Sequence, residues 1–315
     1  MRGPIMRPHT HSSRARTVFV ALLVVFLWAT SWVLIKIGLE EIPPLTFAGL
    51  RYTLAFTCLL PFAALTQGRA SSPPLPRRMM GRMVVLGLLL YTVTQGAVFL
   101  ALAYLSAVTV NLLWSFTTVT VALFGIIWLA ERPSPFQWLG VALATLGAII
   151  YFYPVELPEG RVLGIVVSAI GILANAAAAI LGRDINRSGE ISPIVITAVS
   201  MGVGAIVLLA VGIYMQGVPT ITMKGWGIIA WLAVVNTALA FTLWNYTLRS
   251  LTATESSIIN GTMLIWIPIL AVAFLGETVG ARELLGLIAA AAGILIVQLR
   301  SPSSLSRLFR RNVAI

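Results

Sequence analysis

Apolar residues run along this chain in ten long stretches broken by short polar, glycine- or proline-bearing segments, at about 17–38, 43–66, 82–104, 107–130, 135–154, 162–182, 192–216, 224–248, 253–276 and 280–299. Each is long enough to cross roughly 30 Å of hydrocarbon as a helix rising 1.5 Å per residue. Very short turns divide the third stretch from the fourth and the eighth from the ninth, so length decides that these are separate crossings. Lipid offers no partner for backbone N–H and C=O groups, so every crossing is predicted to be helical. The predicted fold class is therefore all-α integral membrane, with ten transmembrane helices and no soluble domain. The first stretch is predicted to stay as a membrane helix. Its apolar part, Thr17 to Ile37, is longer than a signal-peptide core and carries Trp28 and Trp32.

The ten stretches form two related sets of five. LAERPSPFQWLGVALATLGAII (Leu129–Ile150) and LGETVGARELLGLIAAAAGILI (Leu275–Ile296) share seven residues at a constant shift of 146 positions. Leu129, Glu131, Leu139, Gly140, Ala144, Gly147 and Ile150 return as Leu275, Glu277, Leu285, Gly286, Ala290, Gly293 and Ile296. Leu105-Ser-Ala107 returns as Leu251-Thr-Ala253. Five crossings per half is an odd number, so the halves enter the membrane in opposite directions. That is an inverted-topology repeat, which in membrane proteins points to a transporter. The divisions expected are a basic tail over 1–16, a first five-helix repeat over 17–154, a second over 162–299 and a basic tail over 300–315. The small residues Gly140, Ala144 and Gly147, with their counterparts Gly286, Ala290 and Gly293, let helices 5 and 10 approach a neighbour closely. That neighbour is either within the molecule or across a dimer seam, so monomer and homodimer both stay open. Pro268, well inside helix 9, predicts a kink there.

Composition agrees with the membrane reading. Apolar residues make up 59% of the chain, charged residues 10%, and mean hydropathy is +0.96, where a soluble domain carries about 25% charged residues. With the N-terminus in the cytoplasm, sixteen basic residues, from Arg2 to Arg311, fall on inner segments. Lys36, Arg51, Arg161, Lys224 and Arg282 fall on the outer side or within spans. This positive-inside bias, with the even span count, predicts that both termini are cytoplasmic. Anionic headgroups explain the net charge of +11 better than a nucleic-acid partner does. Cys58, the one cysteine, lies inside the second span and excludes a disulfide.

LWATSWVLIKIGLEEIPPLTFAGLRY (Leu27–Tyr52), ALAYLSAVTVNLLWS (Ala101–Ser115) and the two Glu-x8-Gly-x6-Gly stretches resemble the EamA family of the drug/metabolite transporter superfamily. The resemblance covers roughly residues 17–299. It implies ten helices in two five-helix repeats, export of small metabolites such as amino acids, and no catalysis. The second repeat departs from the pattern in helix 6, where Asn175-Ala-Ala-Ala-Ala stands in place of an aromatic-rich stretch.

Polar and aromatic residues deep in the spans are the candidates for a substrate site, because each is costly against lipid and faces the bundle interior. Helix 1 offers Trp28, Ser31 and Trp32; helix 3 offers Tyr91, Gln95 and Phe99 at i, i+4, i+8. Helix 4 offers Asn111, Trp114, Ser115 and Thr118 as one stripe. Asn175 in helix 6, Asn236 and Trp244 in helix 8, and Asn260, Met263 and Trp266 in helix 9 complete the set. The alternative for any one of them is helix-to-helix glue, at about 0.6–2 kcal/mol per hydrogen bond, or membership of an interfacial aromatic belt. Aromatic walls with scattered amides suit a small amphipathic ligand. A sugar-phosphate or nucleotide-sugar would want several Lys or Arg for charge-assisted bonds. Only Arg51 lies clearly within a span, about two turns from the outer end of helix 2. Two readings of it stand: it grips a substrate carboxylate, or it braces helix 2 by pairing with Glu40, Glu41 or a helix C-terminus. Lys36 can snorkel to the outer headgroups or take part in an outer gate.

None of the ten acidic residues falls at a span centre, and neither His9 nor His11 is in a span. Ion-coupled pumps bury an ionisable group in their path, so gradient-driven export is expected, with Glu255 at the start of helix 9 as the residue that keeps proton coupling open. The competing transport reading is a proton-coupled drug or sugar/nucleotide-sugar carrier. The competing non-transport reading is a membrane enzyme or receptor-like protein. HExxH, P-loop and GxSxG motifs and Cys/His clusters are missing from the sequence, so neither a cofactor nor a metal is expected. The expected partners are a small-molecule substrate and the lipid bilayer.

Overall fold

The structure, a computed structural model, describes residues 11–67, 77–129, 134–154, 159–187, 191–247, 251 and 253–299. Ten helices in it are long and apolar enough to cross a membrane: α1 Ala15–Gly38, α2 Pro44–Phe62, α3 Arg77–Tyr104, α4 Ala107–Phe124, α5 Pro135–Phe152, α6 Gly160–Asn186, α7 Pro193–Gln216, α8 Met223–Trp244, α9 Ile258–Leu275 and α10 Ala281–Gln298. They coincide with the ten predicted runs, and the chain is an all-α multi-pass membrane protein. Glu131, the first of the two repeated acids, lies outside the described residues, as do His9 and most of both tails.

Short polar caps set the helix starts. Ser106 accepts from the Thr109 N–H at the head of α4 at 3.1 Å, Ser134 and Gln137 form a reciprocal capping box at α5, and Thr222 accepts from the Gly225 N–H at α8. Gly276, with φ +66°, ends α9 in the left-handed region that a residue with a Cβ resists.

Equivalent helices of the two halves pair with each other. α2 lies along α7, and Gln216 at the end of α7 accepts from the Leu45 and Thr46 N–H groups at the head of α2. α5 lies along α10 with their backbones in contact. A Cβ added to Gly140 would sit 2.7 Å from the Gly293 carbonyl oxygen, and one added to Gly286 would sit 2.7 Å from the Gly147 carbonyl oxygen. The small-residue stripes thus serve packing within the molecule.

The remaining six helices exchange partners between halves. α1 packs on α8 and α9 of the second half, and α6 packs on α3 and α4 of the first. Two three-helix groups result, α1/α8/α9 and α6/α3/α4, with α2 touching both through α8 and α3.

Helices in both groups are interrupted at corresponding places. α4 stops at Ser115 and resumes at Thr117, where the Phe116 N–H donates to Leu113 O at 3.1 Å. α9 stops at Gly261 and resumes at Met263, where the Thr262 N–H donates to Ile259 O at 3.1 Å. Phe116 and Thr262 are separated by the repeat shift. The kink expected at Pro268 is not where α9 is interrupted: the helix runs unbroken from Met263 to Leu275 through the proline, and the interruption is at Thr262. Losing one N–H at Pro268 frees a single carbonyl, whereas at Thr262 a local i−3 bond replaces the regular ladder. α3 and α8 each widen into a π segment, Leu88–Thr94 and Val234–Leu239, again at the repeat shift. Threonine hydroxyls reach five residues back to steady them: Thr94 Oγ1 donates to Leu89 O at 2.7 Å and Thr237 Oγ1 to Leu232 O at 2.8 Å. Such segments cost regular hydrogen bonding and gather at functional sites.

Candidate functional site

Polar and aromatic side chains of the spans gather inside each of the two helix groups, and Asn111 of α4 reaches across to α9. On the α1/α8/α9 side, Asn236 is fully buried, and its Nδ2 donates to Leu27 O, Thr30 Oγ1 and Ser31 Oγ, tying the π segment of α8 to α1. Its Oδ1 is sealed from solvent with no hydrogen-bond partner among the described residues. Trp28 stacks on Phe241 and Trp244 at centroid distances of 5.4 and 5.2 Å, and Phe26 meets Trp266 edge-on at 5.2 Å. Trp32 is half-buried against the core.

On the α6/α3/α4 side, Trp114 lays its ring where a side chain at Gly171 of α6 would stand, beside Ala97 of α3. Its Nε1 is buried and donates to nothing among the described residues. Gln95 and Asn175 are half-buried and Asn260 is exposed; among the described residues none of the three amides makes a hydrogen bond. Asn111 is buried and bridges the seam weakly, Nδ2 to Met263 O at 3.5 Å. Ser115 turns back to its own helix, donating to Leu112 O, and Thr118 accepts from Gln298 at 3.4 Å. Glu255 is half-buried in the first segment of α9.

Tyr91 is buried against Gly204 of α7 and the Tyr52 ring at 5.6 Å, whereas Gln95, just after the π segment, is half-buried. Phe99 is fully buried against Phe47.

Arg51 and Lys36 both differ from their simplest sequence readings. Arg51 pairs with neither Glu40 nor Glu41, and Glu41 instead accepts from the Thr222 hydroxyl at 2.8 and 3.0 Å. The guanidinium lies 95% buried, its Nε and Nη2 3.3 Å from Thr237 Oγ1, over the Tyr52 ring at 5.1 Å and the Phe99 ring at 6.0 Å. Lys36 does not snorkel. Its Nζ donates to Leu102 O and Leu105 O at 2.6 and 2.7 Å, the open carbonyls at the end of α3. Glu277 lies alongside: its carboxylate accepts from the Ala107 N–H at 2.6 Å and the Val108 N–H at 3.1 Å, at the head of α4. A carboxylate on a helix N-terminus and an ammonium on a helix C-terminus both complement the helix dipoles. Together they fasten α1 and α9 to α3 and α4 at the end of the bundle away from the chain termini.

The model of the EamA-like transporter family matches twice, over residues 15–153 and again over 162–299. The chain belongs to this family. As an EamA-like transporter it is similar, at 27% identity over 86% of its length and 87% of the relative's, to the uncharacterised inner membrane transporter YedA of Escherichia coli K12. It is similar at 20% identity, over 86% of its length and 92% of the relative's, to the uncharacterised transporter YoaV of Bacillus subtilis. A shorter likeness, 56% over 36 residues, covering 11% of this chain and 12% of the relative, joins it to a probable amino-acid metabolite efflux pump of Salmonella typhimurium. A crystal structure shares the fold with a TM-score of 0.62 at 17% identity, covering 91% of this chain and 98% of the other. The EamA-like relatives are named as transporters, not enzymes.

Thr30, Phe241, Thr237 and Glu277 are the residues of this region that sequence reasoning passed over. Only Glu277 carried a signal, its repetition with Glu131. The others matter through partners on distant helices.

Proposed function

We propose that this EamA-like protein exports small amphipathic metabolites, amino acids or close relatives, from the cytoplasm by alternating access. The site assigned is the seam between α1/α8/α9 and α6/α3/α4. The observation that carries this reading is a set of polar groups in the two helix groups that make no hydrogen bond among the described residues: Trp114 Nε1 and Asn236 Oδ1 sealed in the interior, and the Gln95 and Asn175 amides. A buried polar atom left unpaired costs about 1–3 kcal/mol, and a ligand that supplies the missing bonds recovers it. Trp28, Trp32 and Met263 give the apolar wall, and Ser31, Asn111, Ser115, Trp244 and Asn260 border it; Tyr91, buried behind α3, acts through packing. The Salmonella relative's name supports amino-acid-like cargo.

The two five-helix repeats are assigned opposite orientations, with both termini in the cytoplasm of an inner-membrane protein. The arginine bias and the relatives' names support this. The fastened end then faces outward, and Lys36 and Glu277 form the outer gate. A C-terminal reporter active only outside the membrane contradicts that orientation.

Transport is proposed to follow the substrate gradient, since no Asp or Glu of the sequence falls at a span centre. The test is counterflow in proteoliposomes, using a solute identified by comparing metabolites released from overexpressing and deleted cells. Preloaded unlabelled solute should draw labelled solute in transiently against its gradient. A pH or sodium step at equal concentrations should move no net solute. Absence of counterflow removes the carrier reading. Uphill movement under an ion step that Glu255→Gln abolishes replaces gradient-driven export with proton or sodium coupling.

A further inference from the structure

We propose that Arg51 is an anion-recognition group and that the exported substrates carry a carboxylate. This rests on the export reading above and narrows its substrate class.

Arg51 sits on α2, the helix that touches both three-helix groups. Its guanidinium reaches Thr237 in the π segment of α8 on one side and lies over Phe99 of α3 on the other. It therefore stands at the seam where the substrate is proposed to bind. A cation held 95% out of solvent inside a membrane protein demands a counter-charge. The chain supplies none: among the described residues no carboxylate is within ion-pair distance of it, and Glu41, one of the sequence candidates, is committed to Thr222.

What the chain does supply is partial. A guanidinium has five N–H donors, yet Nε and Nη2 share the single hydroxyl of Thr237 at the long distance of 3.3 Å. Thr237 Oγ1 spends its own proton on Leu232 O, so its lone pairs are aimed at the arginine and fix the guanidinium plane. The Tyr52 and Phe99 rings cover part of that plane. The second terminal nitrogen, Nη1, donates to nothing among the described residues, yet it is not among the sealed, partnerless atoms. An oriented, desolvated and unneutralised guanidinium with a free N–H edge matches a carboxylate, which accepts two parallel bonds from such a fork. A phosphate, with more charge, asks for several cations, and Arg51 stands alone at this level. Lys36 is occupied by the α3 carbonyls near the gate.

The test uses the purified full-length protein in detergent. The probes are a panel of small monocarboxylates (propionate, isocaproate, phenylacetate, leucine and phenylalanine), each beside its carboxamide. Thermal unfolding at graded concentrations gives apparent affinities. At least one acid should stabilise the wild type at concentrations about tenfold or more below its amide, the ratio expected when one hydrogen bond to a charged group is lost. Arg51→Gln should bring that ratio to about one, while Arg51→Lys should keep part of it. Equal action of acids and amides on the wild type overturns the proposal without needing any variant. So does a preference for acids that survives Arg51→Gln, or an absence of any stabilising acid. Counterflow of a solute that has no carboxylate would overturn this assignment and leave the export reading standing; absence of counterflow for any solute would remove the export reading itself.

Discussion

Gly147→Val and Gly293→Val are each expected to deplete the folded protein, with the membrane-inserted, monodisperse fraction falling several-fold. A Cβ at Gly147 would lie 2.6 Å from the Gly286 carbonyl oxygen, and one at Gly293 would lie 2.5 Å from the Gly140 carbonyl oxygen. Backbone atoms of a neighbouring helix cannot step aside as a side-chain tip can, so α5 and α10 must separate along their whole contact. Overpacking of this kind costs about 1–3 kcal/mol or more, and separation also forfeits the close dispersion contacts that hold membrane helices together without a hydrophobic drive. Gly227→Val is the control, because nothing lies within 4 Å of a Cβ there. Size-exclusion profiles and thermal unfolding of the three variants decide the matter. Wild-type behaviour of Gly147→Val would mean that α5 and α10 are not paired in this way.

Trp114→Ala and Gln95→Ala are expected to cut counterflow by about tenfold or more while leaving expression nearly intact, the effect of removing ligand contacts worth about 1–3 kcal/mol. Trp114→Phe separates the two contributions of the indole: it keeps a ring against Gly171 and removes only the unpartnered N–H, so it should lose transport with little loss of melting temperature. Trp138 and Trp231, each about half exposed on the bundle surface, are the controls. Normal transport by both site variants, with failure of Trp138→Ala or Trp231→Ala, would place the pathway on the wrong helix faces.

Hydropathy made the ten crossings legible because lipid imposes one requirement on every residue of a span, and that requirement is local. The repeat was legible because Glu131 and Glu277, with two glycines each, stand out against an apolar background. Side-chain destinations were less so. Tyr91 and Gln95 sit four apart and read as one stripe, but burial differs between them: Tyr91 is buried beside Gly204 and the Tyr52 ring, while Gln95, at the end of the π segment Leu88–Thr94, is half-buried. Nothing in LLLYTVT distinguishes a π turn from an α turn, since one extra residue per turn is decided by tertiary neighbours. Lys36 read as a headgroup-seeking cation because the carbonyls of Leu102 and Leu105 that hold it belong to another helix. Pro268 read as the site of a kink in α9; the helix continues through it, and the interruption, which the sequence reading did not mark, is at Thr262, the counterpart of Phe116. Comparing the two repeats position by position is the sequence operation that points toward it.

The proposed alternating access implies reciprocity: when one end of the bundle is fastened the other would be apart, and transport would exchange them. Distances between spin labels test this most directly. In a Cys58→Ser background, one label pair goes on Tyr104 and Thr278 at the Lys36–Glu277 end, and another on Leu123 and Ile258 at the opposite end; all four side chains are exposed. In this structure Lys36 and Glu277 fasten the first end, so the account assigns it a short first distance and, by the proposed reciprocity, a long second one. The account predicts a second population with the first distance long and the second short, enriched in Glu277→Gln, where the carboxylate can no longer hold the Ala107 and Val108 N–H groups with full charge. Two distances that lengthen together, or a first distance that stays short while counterflow proceeds, would contradict it.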